Sequence, residues 1–103
     1  MKPLIYGYMR VTNEMDDQEV RLIEQQLITF AKAEGYCMGT IFYECGGAMA
    51  ALTELLEELG RTEARHVVVA SLGQLSDHPL LQSSFHREIT IYGGARLHQV
   101  ASL

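Results

Sequence analysis

The most informative stretch of this chain is Gly7-Tyr8-Met9-Arg10-Val11-Thr12, where an aromatic and β-branched run ends in an arginine and a hydroxyl. The run begins at Leu4, and its composition is typical of a strand. Asn13, Asp16 and Asp17 follow directly and predict the capped start of a helix with carboxylates in its first turn. A strand that leads at once into a helix is the first unit of a β-α-β fold.

The same alternation of strand and helix patterns continues along the chain. Apolar residues recur at helical spacing between strand-like runs, and the valine run at 67–69 fits a strand buried on both faces. The predicted strands are 4–11, 38–44, 66–71 and 95–100, and the predicted helices are 15–34, 49–59 and 78–92. This order predicts a single α/β domain over 1–103, with three layers and a four-stranded, mostly parallel sheet.

Glycines and polar residues mark the predicted helix ends. We expect the three helices to end at Gly35, at Gly60 and at Gly93-Gly94. Ser76 or Asp77 is expected to cap the third helix, with a proline in its first turn. The buried stripe of that helix is predicted to be Leu81, Phe85, Ile89 and Tyr92.

Charge and composition exclude several classes of protein. The chain has 103 residues, 48% of them hydrophobic, and a formal net charge of -5 with its eight Lys and Arg scattered. A domain that binds DNA through phosphates is usually basic, so we expect DNA binding in isolation to be weak or absent. Neither a signal sequence nor a membrane-spanning run is evident, which favours a cytoplasmic protein without membrane contact.

The cysteines and histidines predict neither a disulfide nor a metal site. Cys37 and Cys45 flank the predicted second strand, and eight residues of strand separate them by about 26 Å, too far for a disulfide. The four histidines, His66, His78, His86 and His98, have no ligand-like spacing with them. We therefore expect free thiols, no metal and no cofactor.

Ligands of parallel α/β sheets bind beyond the carboxyl ends of the strands. That rule nominates Arg10, Thr12 and Asn13 after the first strand. It also nominates residues 44–47 after the second strand and residues 71–78 after the third.

The stretch that ends in Thr12 resembles the first strand of the serine recombinases (resolvases, invertases and large serine integrases), whose pattern is Gly-Tyr-x-Arg-Val-Ser. The resemblance covers nearly the whole chain and includes Gln26 and Leu72-Gly73. It implies a resolvase-like, flavodoxin-like sheet in the order 2-1-3-4. It also implies that the catalytic positions of a DNA recombinase fall on Thr12, Arg10 and Gln26, with threonine in place of the nucleophilic serine.

Several charged residues of the family pattern are missing. Ala70, Ser71 and Gln74 replace the aspartate and both arginines of the family motif Asp-Arg-Leu-Gly-Arg, and a further arginine falls on Met49 or is deleted. One arginine placed on a transferring phosphoryl group can be worth about 10³–10⁵ in rate. We therefore expect Thr12, Arg10 and Gln26 to be vestigial and strand cleavage to be lost.

Each candidate residue also has a structural interpretation. Arg10 is also compatible with a surface ion pair to Glu44 or to an aspartate of the first helix. Thr12 is compatible with a turn residue or a helix N-cap, and Gln26 with an ordinary solvent-exposed or interface glutamine of a helix. Gly46-Gly47 fits either a phosphate cradle or a turn. Serine, carboxylate and imidazole occur together at Ser71, Ser76, Asp77 and His78, but residues adjacent in one loop favour capping over a hydrolase site.

Three functions remain open. The preferred one is a non-catalytic protein-interaction or regulatory module of resolvase-like fold. The alternatives are an active serine-recombinase-type strand transferase that uses Thr12, and a binder of small anions or nucleotides at the strand ends. We expect no dimerisation helix or helix-turn-helix domain after this one. Leu80, Leu81 and Ile91 exceed what the core needs, which predicts self-association or a protein partner through the third helix or a sheet edge.

Overall fold

The computed structural model describes residues 2–45 and 49–100, and these form one α/β unit. Strands and helices alternate along the chain, and a π-helical turn, Glu88–Tyr92, continues the last helix. The strands are β1 (Leu4–Val11), β2 (Cys37–Cys45), β3 (His66–Val69) and β4 (Arg96–Gln99). The helices are α1 (Asp17–Ala33), α2 (Ala50–Arg61), α3 (Leu72–Leu75) and α4 (Pro79–Arg87).

The four strands form one sheet in the order β2-β1-β3-β4, and every pair is parallel. This confirms the predicted resolvase-like α/β class and its strand order. β1 pairs with β2 from Leu4 opposite Cys37 to Val11 opposite Cys45, with a bulge between Ile5 and Gly7. The carboxyl ends of β1 and β2 therefore lie side by side.

The alternation of side chains along β1 builds a core on each face of the sheet. Ile5 and Met9 pack with Leu27 and Ala31 of α1 on one face. Tyr6 and Tyr8 point to the other face, where they join a larger cluster. That cluster includes Leu52, Leu55 and Leu59 of α2 and Phe85 and Ile89 of α4 and its π-helical turn. β1 is therefore buried on both faces, as expected for a central parallel strand.

The first helix begins and ends on the residue types that the sequence indicates. Asp16 caps α1, and its carboxylate accepts a hydrogen bond from the backbone N–H of Glu19 at 2.8 Å. Asn13 lies in the preceding turn and is not the cap. Gly35 follows the helix with φ of +81°, the left-handed conformation that favours glycine at a helix end.

Two predicted helix ends were wrong. α2 continues through Gly60 to Arg61, because burial of Leu59 outweighs the glycine's helix cost of about 1 kcal/mol. The cap of α4 is His78, whose Nδ1 accepts from the N–H of Leu80 at 3.3 Å, rather than Ser76 or Asp77. Ser76 instead accepts from the N–H of His78.

The predicted third helix, 78–92, divides into α4 and the π-helical turn that follows it. The short α3 precedes α4 and was not foreseen. The π-helical turn of Glu88–Tyr92 inserts extra chain per turn, and this rotates Tyr92 out of the stripe that Phe85 and Ile89 bury. Leu81, in the first turn of α4, also lies outside the core. The prediction that Leu81 and Tyr92 are buried was therefore wrong.

The surface of the described chain carries both thiols. Cys37 and Cys45 are exposed and unpaired, as the sequence predicts. Within residues 2–45 and 49–100, none of the helices is long and apolar enough to cross a membrane.

Gly93 is required by close packing at the end of the π-helical turn. A Cβ on Gly93 would lie 2.7 Å from the carbonyl oxygen of Ile89 and 2.9 Å from Leu59 Cδ1. We expect Gly93→Ala to lower the free energy of unfolding by about 1–3 kcal/mol in urea titrations. Gly60→Ala is the matched control, since it should raise stability by about 0.5–1 kcal/mol. Equal stability of the two variants would contradict this packing argument.

Candidate functional site at the strand carboxyl ends

Arg10 lies at the carboxyl end of β1, and its side chain bonds to the segment after β3. Its guanidinium Nη1 donates a hydrogen bond to the carbonyl oxygen of Leu75 at 3.0 Å. Arg10 pairs with Glu44 only as a backbone neighbour in the sheet, and the carboxylate of Glu44 has other partners. Across residues 2–45 and 49–100, Arg10 forms no ion pair. The predicted ion pair from Arg10 to Glu44 or to an aspartate of α1 was therefore wrong.

Gln74 holds this end of β1 through its side-chain amide. The backbone N–H of Arg10 donates to Gln74 Oε1 at 3.0 Å, and Gln74 Nε2 donates to the carbonyl oxygen of Arg10 at 2.6 Å. β3 ends at Val69 and pairs with β1 only at Tyr6 and Gly7. The amide of Gln74 therefore replaces a strand neighbour for Arg10, which satisfies both of its backbone groups.

Thr12 begins the turn between β1 and α1. Its carbonyl oxygen accepts from the N–H of Met15 at 3.1 Å, and its own N–H donates to Met15 Sδ at 3.4 Å. These bonds make Thr12 a turn residue two positions after Arg10. The hydroxyl has no hydrogen bond to a general base among the described residues, so nothing there activates it.

Gln26 is not part of the same cluster. It is exposed on α1, one position before the buried Leu27. Phe30, one helical turn later, stacks against His98 of β4, so Gln26 lies on the flank of α1 toward β4. The hydrogen bonds of the described chain do not join Gln26 to Arg10 or Thr12.

Glu44 is the buried carboxylate at this edge, with 8% of its surface exposed. It accepts from the hydroxyl of Tyr8 at 2.8 Å and from the backbone N–H groups of Leu52 at 3.1 Å and Ala51 at 3.3 Å. Met49, at the cap position of α2, provides no side-chain bond. Glu44 therefore caps α2 from the neighbouring strand, where the helix dipole favours negative charge.

Tyr8 is buried, so its hydrogen bond to Glu44 lies away from solvent. Burial, reinforced by the hydrogen bond and the charge of Glu44, raises the pKa of Tyr8 well above its usual range. The phenol therefore stays neutral and donates to the carboxylate. The sequence placed Glu44 among the strand-end residues and as a possible ion-pair partner of Arg10, but not as a helix cap. Its signal was a lone carboxylate in an apolar strand before a helix without a polar cap residue.

The serines and the histidine after β3 have structural roles. Ser71 caps α3 by accepting from the N–H of Gln74 at 3.1 Å. Ser76 and His78 form the local bonds that start α4, and Asp77 is exposed. These residues form caps rather than a converging Ser-His-Asp constellation. The glycines Gly46-Gly47, nominated as a possible phosphate cradle, lie outside the described residues.

His66 and His98 meet at a place that sequence spacing did not indicate. The Nδ1 of His66 lies 3.1 Å from the Nε2 of His98 across β3 and β4, on the face covered by α1. Tyr36 and Phe30 pack against these rings. Among the described residues, no group of three or more His, Cys, Asp or Glu side chains could hold a metal ion.

The hydrogen bonds of Glu44 predict a stability effect. Glu44→Gln replaces one carboxylate oxygen by an NH₂ group that faces backbone N–H donors, so we expect a loss of about 1–3 kcal/mol in the free energy of unfolding. Glu54→Gln, on the exposed face of α2, is the control and should change stability by less than about 0.5 kcal/mol. Urea titrations compare the two, and similar effects would refute the capping role.

The histidine pair predicts a dependence of stability on pH. Burial, with further contributions from the Arg96 charge and, for His98, from His66, lowers the pKa of both rings, while Glu34 opposes this for His98. The unfolded chain therefore binds protons first, near its ordinary pKa of about 6.5. Stability should be full above that pH and should fall as the pH drops through the lowered pKa values.

Thermal or urea unfolding across pH 5 to 8 measures this effect. The double variant His66→Gln/His98→Gln should flatten the curve below pH 6.5. The exposed His86→Gln is the matched control. A double variant with the same acid dependence as the unmodified chain would contradict the assignment.

Comparisons with known proteins identify the fold. No protein-family model matches the sequence, and no curated protein matches it. Two similar solved structures are the C-terminal catalytic domain of ISC1926 TnpA, an IS607-like serine recombinase, and the N-terminal catalytic domain of TP901-1 integrase. The first is 13% identical with a TM-score of 0.76, and the match covers 97% of this chain and 71% of that one.

The second is 16% identical with a TM-score of 0.74, and the match covers 94% of this chain and 76% of that one. Identities this low carry information about fold alone. Together with the parallel sheet in the order β2-β1-β3-β4, they confirm the resemblance on which the strand order was based. This chain has the fold of serine recombinase catalytic domains.

Proposed function

We propose that this chain is a resolvase-like domain that has lost strand cleavage and acts through protein contacts. The observation that carries the proposal is that the guanidinium of Arg10 already bonds to a backbone carbonyl of the protein. The segments that follow the strands, residues 10–16, 44–49 and 70–78, contain no other lysine or arginine. The single guanidinium there already donates to the carbonyl oxygen of Leu75. Phosphoryl transfer needs several cations around the phosphate, and one engaged arginine is a poor substitute.

The neighbours of Arg10 also argue against cleavage. Gln74, at the position of a family arginine, uses its amide to hold the backbone of Arg10. Glu44 brings a carboxylate to the adjacent strand end, and negative charge there disfavours a phosphate. Among the residues that the structure describes, no base bonds to the Thr12 hydroxyl, and Gln26 lies on another flank. We therefore assign Thr12, Arg10 and Gln26 as vestigial positions.

The rival functions find less support. An anion or nucleotide binder would need several free donors at the strand ends, and there Arg10 Nη1 and Gln74 Nε2 already donate to backbone carbonyl oxygens. A net charge of -5 also disfavours autonomous DNA binding. We propose a cytoplasmic protein, because exposed free thiols such as Cys37 and Cys45 suit a reducing compartment.

A cleavage assay tests the proposal. Incubation with supercoiled plasmid should give neither nicked product nor a covalent protein–DNA adduct on denaturing gels, because the charges that stabilise the transition state are absent. Thr12→Ser restores the family hydroxyl but not those charges, so it should remain inactive as well. A serine recombinase with known activity serves as the positive control. A covalent adduct that Thr12→Ala abolishes would refute the proposal.

A further inference from the structure

Four large apolar side chains are exposed on α4 and its π-helical turn. The exposed fraction is 73% for Leu80, 56% for Leu81, 67% for Ile91 and 72% for Tyr92. These residues are here called the α4 patch. A concentration of apolar surface on one element commonly marks an interaction site.

We propose that the α4 patch binds the α4 patch of a second copy of this chain, as two antiparallel helices related by a two-fold axis. This inference rests on the proposed function, because it names the partner of a domain that acts through protein contacts. The partner follows from three features of the helix: the spacing of its exposed residues, the position of its charges and the groove beside it.

The exposed residues follow one stripe of the helix. Leu80, Ser84, Arg87 and Ile91 are separated by four, three and four residues, which is the spacing of a helix–helix seam. All four are exposed, while the core side chains Phe85 and Ile89 point to the sheet. The π-helical turn adds Tyr92 beside Ile91. The stripe therefore has apolar ends and a polar centre.

A second copy in antiparallel orientation matches this pattern. It sets Leu80 of each copy opposite Ile91 of the other copy. Two apolar contacts therefore form, one at each end of the helix pair. At the centre it sets Arg87 opposite Ser84, whose small side chain leaves room for the guanidinium. A parallel copy would place the two Arg87 charges directly opposite each other, whereas the antiparallel copy offsets them by three residues, about 4.5 Å along the axis. The charge pattern thus favours the antiparallel orientation.

A groove beside α4 extends the surface. It has a volume of about 410 Å³, and its walls include Leu72 of α3 and Ser83 and Ile91 of α4 and its π-helical turn. In the antiparallel arrangement, Leu80 of the second copy arrives at Ile91 and so at the mouth of this groove. A stable interface buries about 800 Å² per partner, so groove and patch together are needed to reach it.

Sedimentation equilibrium over a concentration series tests the contact. The unmodified chain should form dimers, and Leu80→Glu/Ile91→Glu should weaken the dimer by about tenfold or more, because each dimer would contain four carboxylates at apolar contacts. Leu22→Glu is the matched control, since Leu22 is 62% exposed but lies on α1. Circular dichroism and thermal unfolding verify that each variant is folded.

Cysteine cross-linking tests the orientation. In a Cys37→Ser/Cys45→Ser background, proteins carrying Leu80→Cys or Ile91→Cys are oxidised separately and as a mixture. The antiparallel contact predicts a disulfide-linked dimer only in the mixture, because identical positions lie about eleven residues, or about 16 Å, apart along the axis. Cross-linking of either variant with itself would indicate parallel helices and overturn the orientation.

The remaining outcomes are also decisive. A chain that stays monomeric throughout the series, or a dimer that the double glutamate variant leaves intact, would overturn the inference. Neither result affects the proposed loss of cleavage, which the plasmid assay tests separately. A covalent DNA adduct together with an intact α4 dimer would refute the proposed function and leave the contact standing.

Discussion

The carboxylate of Glu44 holds together the end of the sheet on which Arg10 and Thr12 lie. It fixes the start of α2, binds Tyr8 of the central strand and belongs to the edge strand itself. A buried charge is tolerated only when its oxygens are well supplied with donors, and here three donors provide that supply. The positions of β1, β2 and α2 relative to one another therefore depend on this one group. The same charge makes the edge a poorer site for a phosphate.

The stability of this edge and the proposed loss of strand cleavage have a common origin. Gln74, which the sequence resemblance matches to an arginine of the recombinases, uses its neutral amide to complete the backbone bonding of Arg10. Arg10 in turn bonds to the carbonyl oxygen of Leu75. Both side chains thus bond to the protein's own backbone.

The sequence predicted the strands and most of the helices because their main signals are local, while the strand order followed from the family resemblance. The apolar runs of the strands, the cap at Asp16 and the left-handed Gly35 each depend on neighbouring residues alone. The site was predicted less well because its bonds join residues far apart in sequence, such as Gln74 with Arg10. The spacing of apolar residues along the chain does not predict contacts between residues that are far apart in sequence. The pairing of His66 with His98 was missed for the same reason, since spacing along the chain says nothing about register across strands.

The π-helical turn shows how a local irregularity can change a surface. A regular helix would have continued the stripe of Phe85 and Ile89 to Tyr92, which is why the sequence indicated a buried tyrosine there. The wider turn rotates Tyr92 outward and brings Gly93 against Ile89 and Leu59. The same π-helical turn therefore accounts for both the tight packing of Gly93 and the exposure of Tyr92. Core and surface are coupled at this point, so any change that restores a regular helix must remove part of the exposed patch.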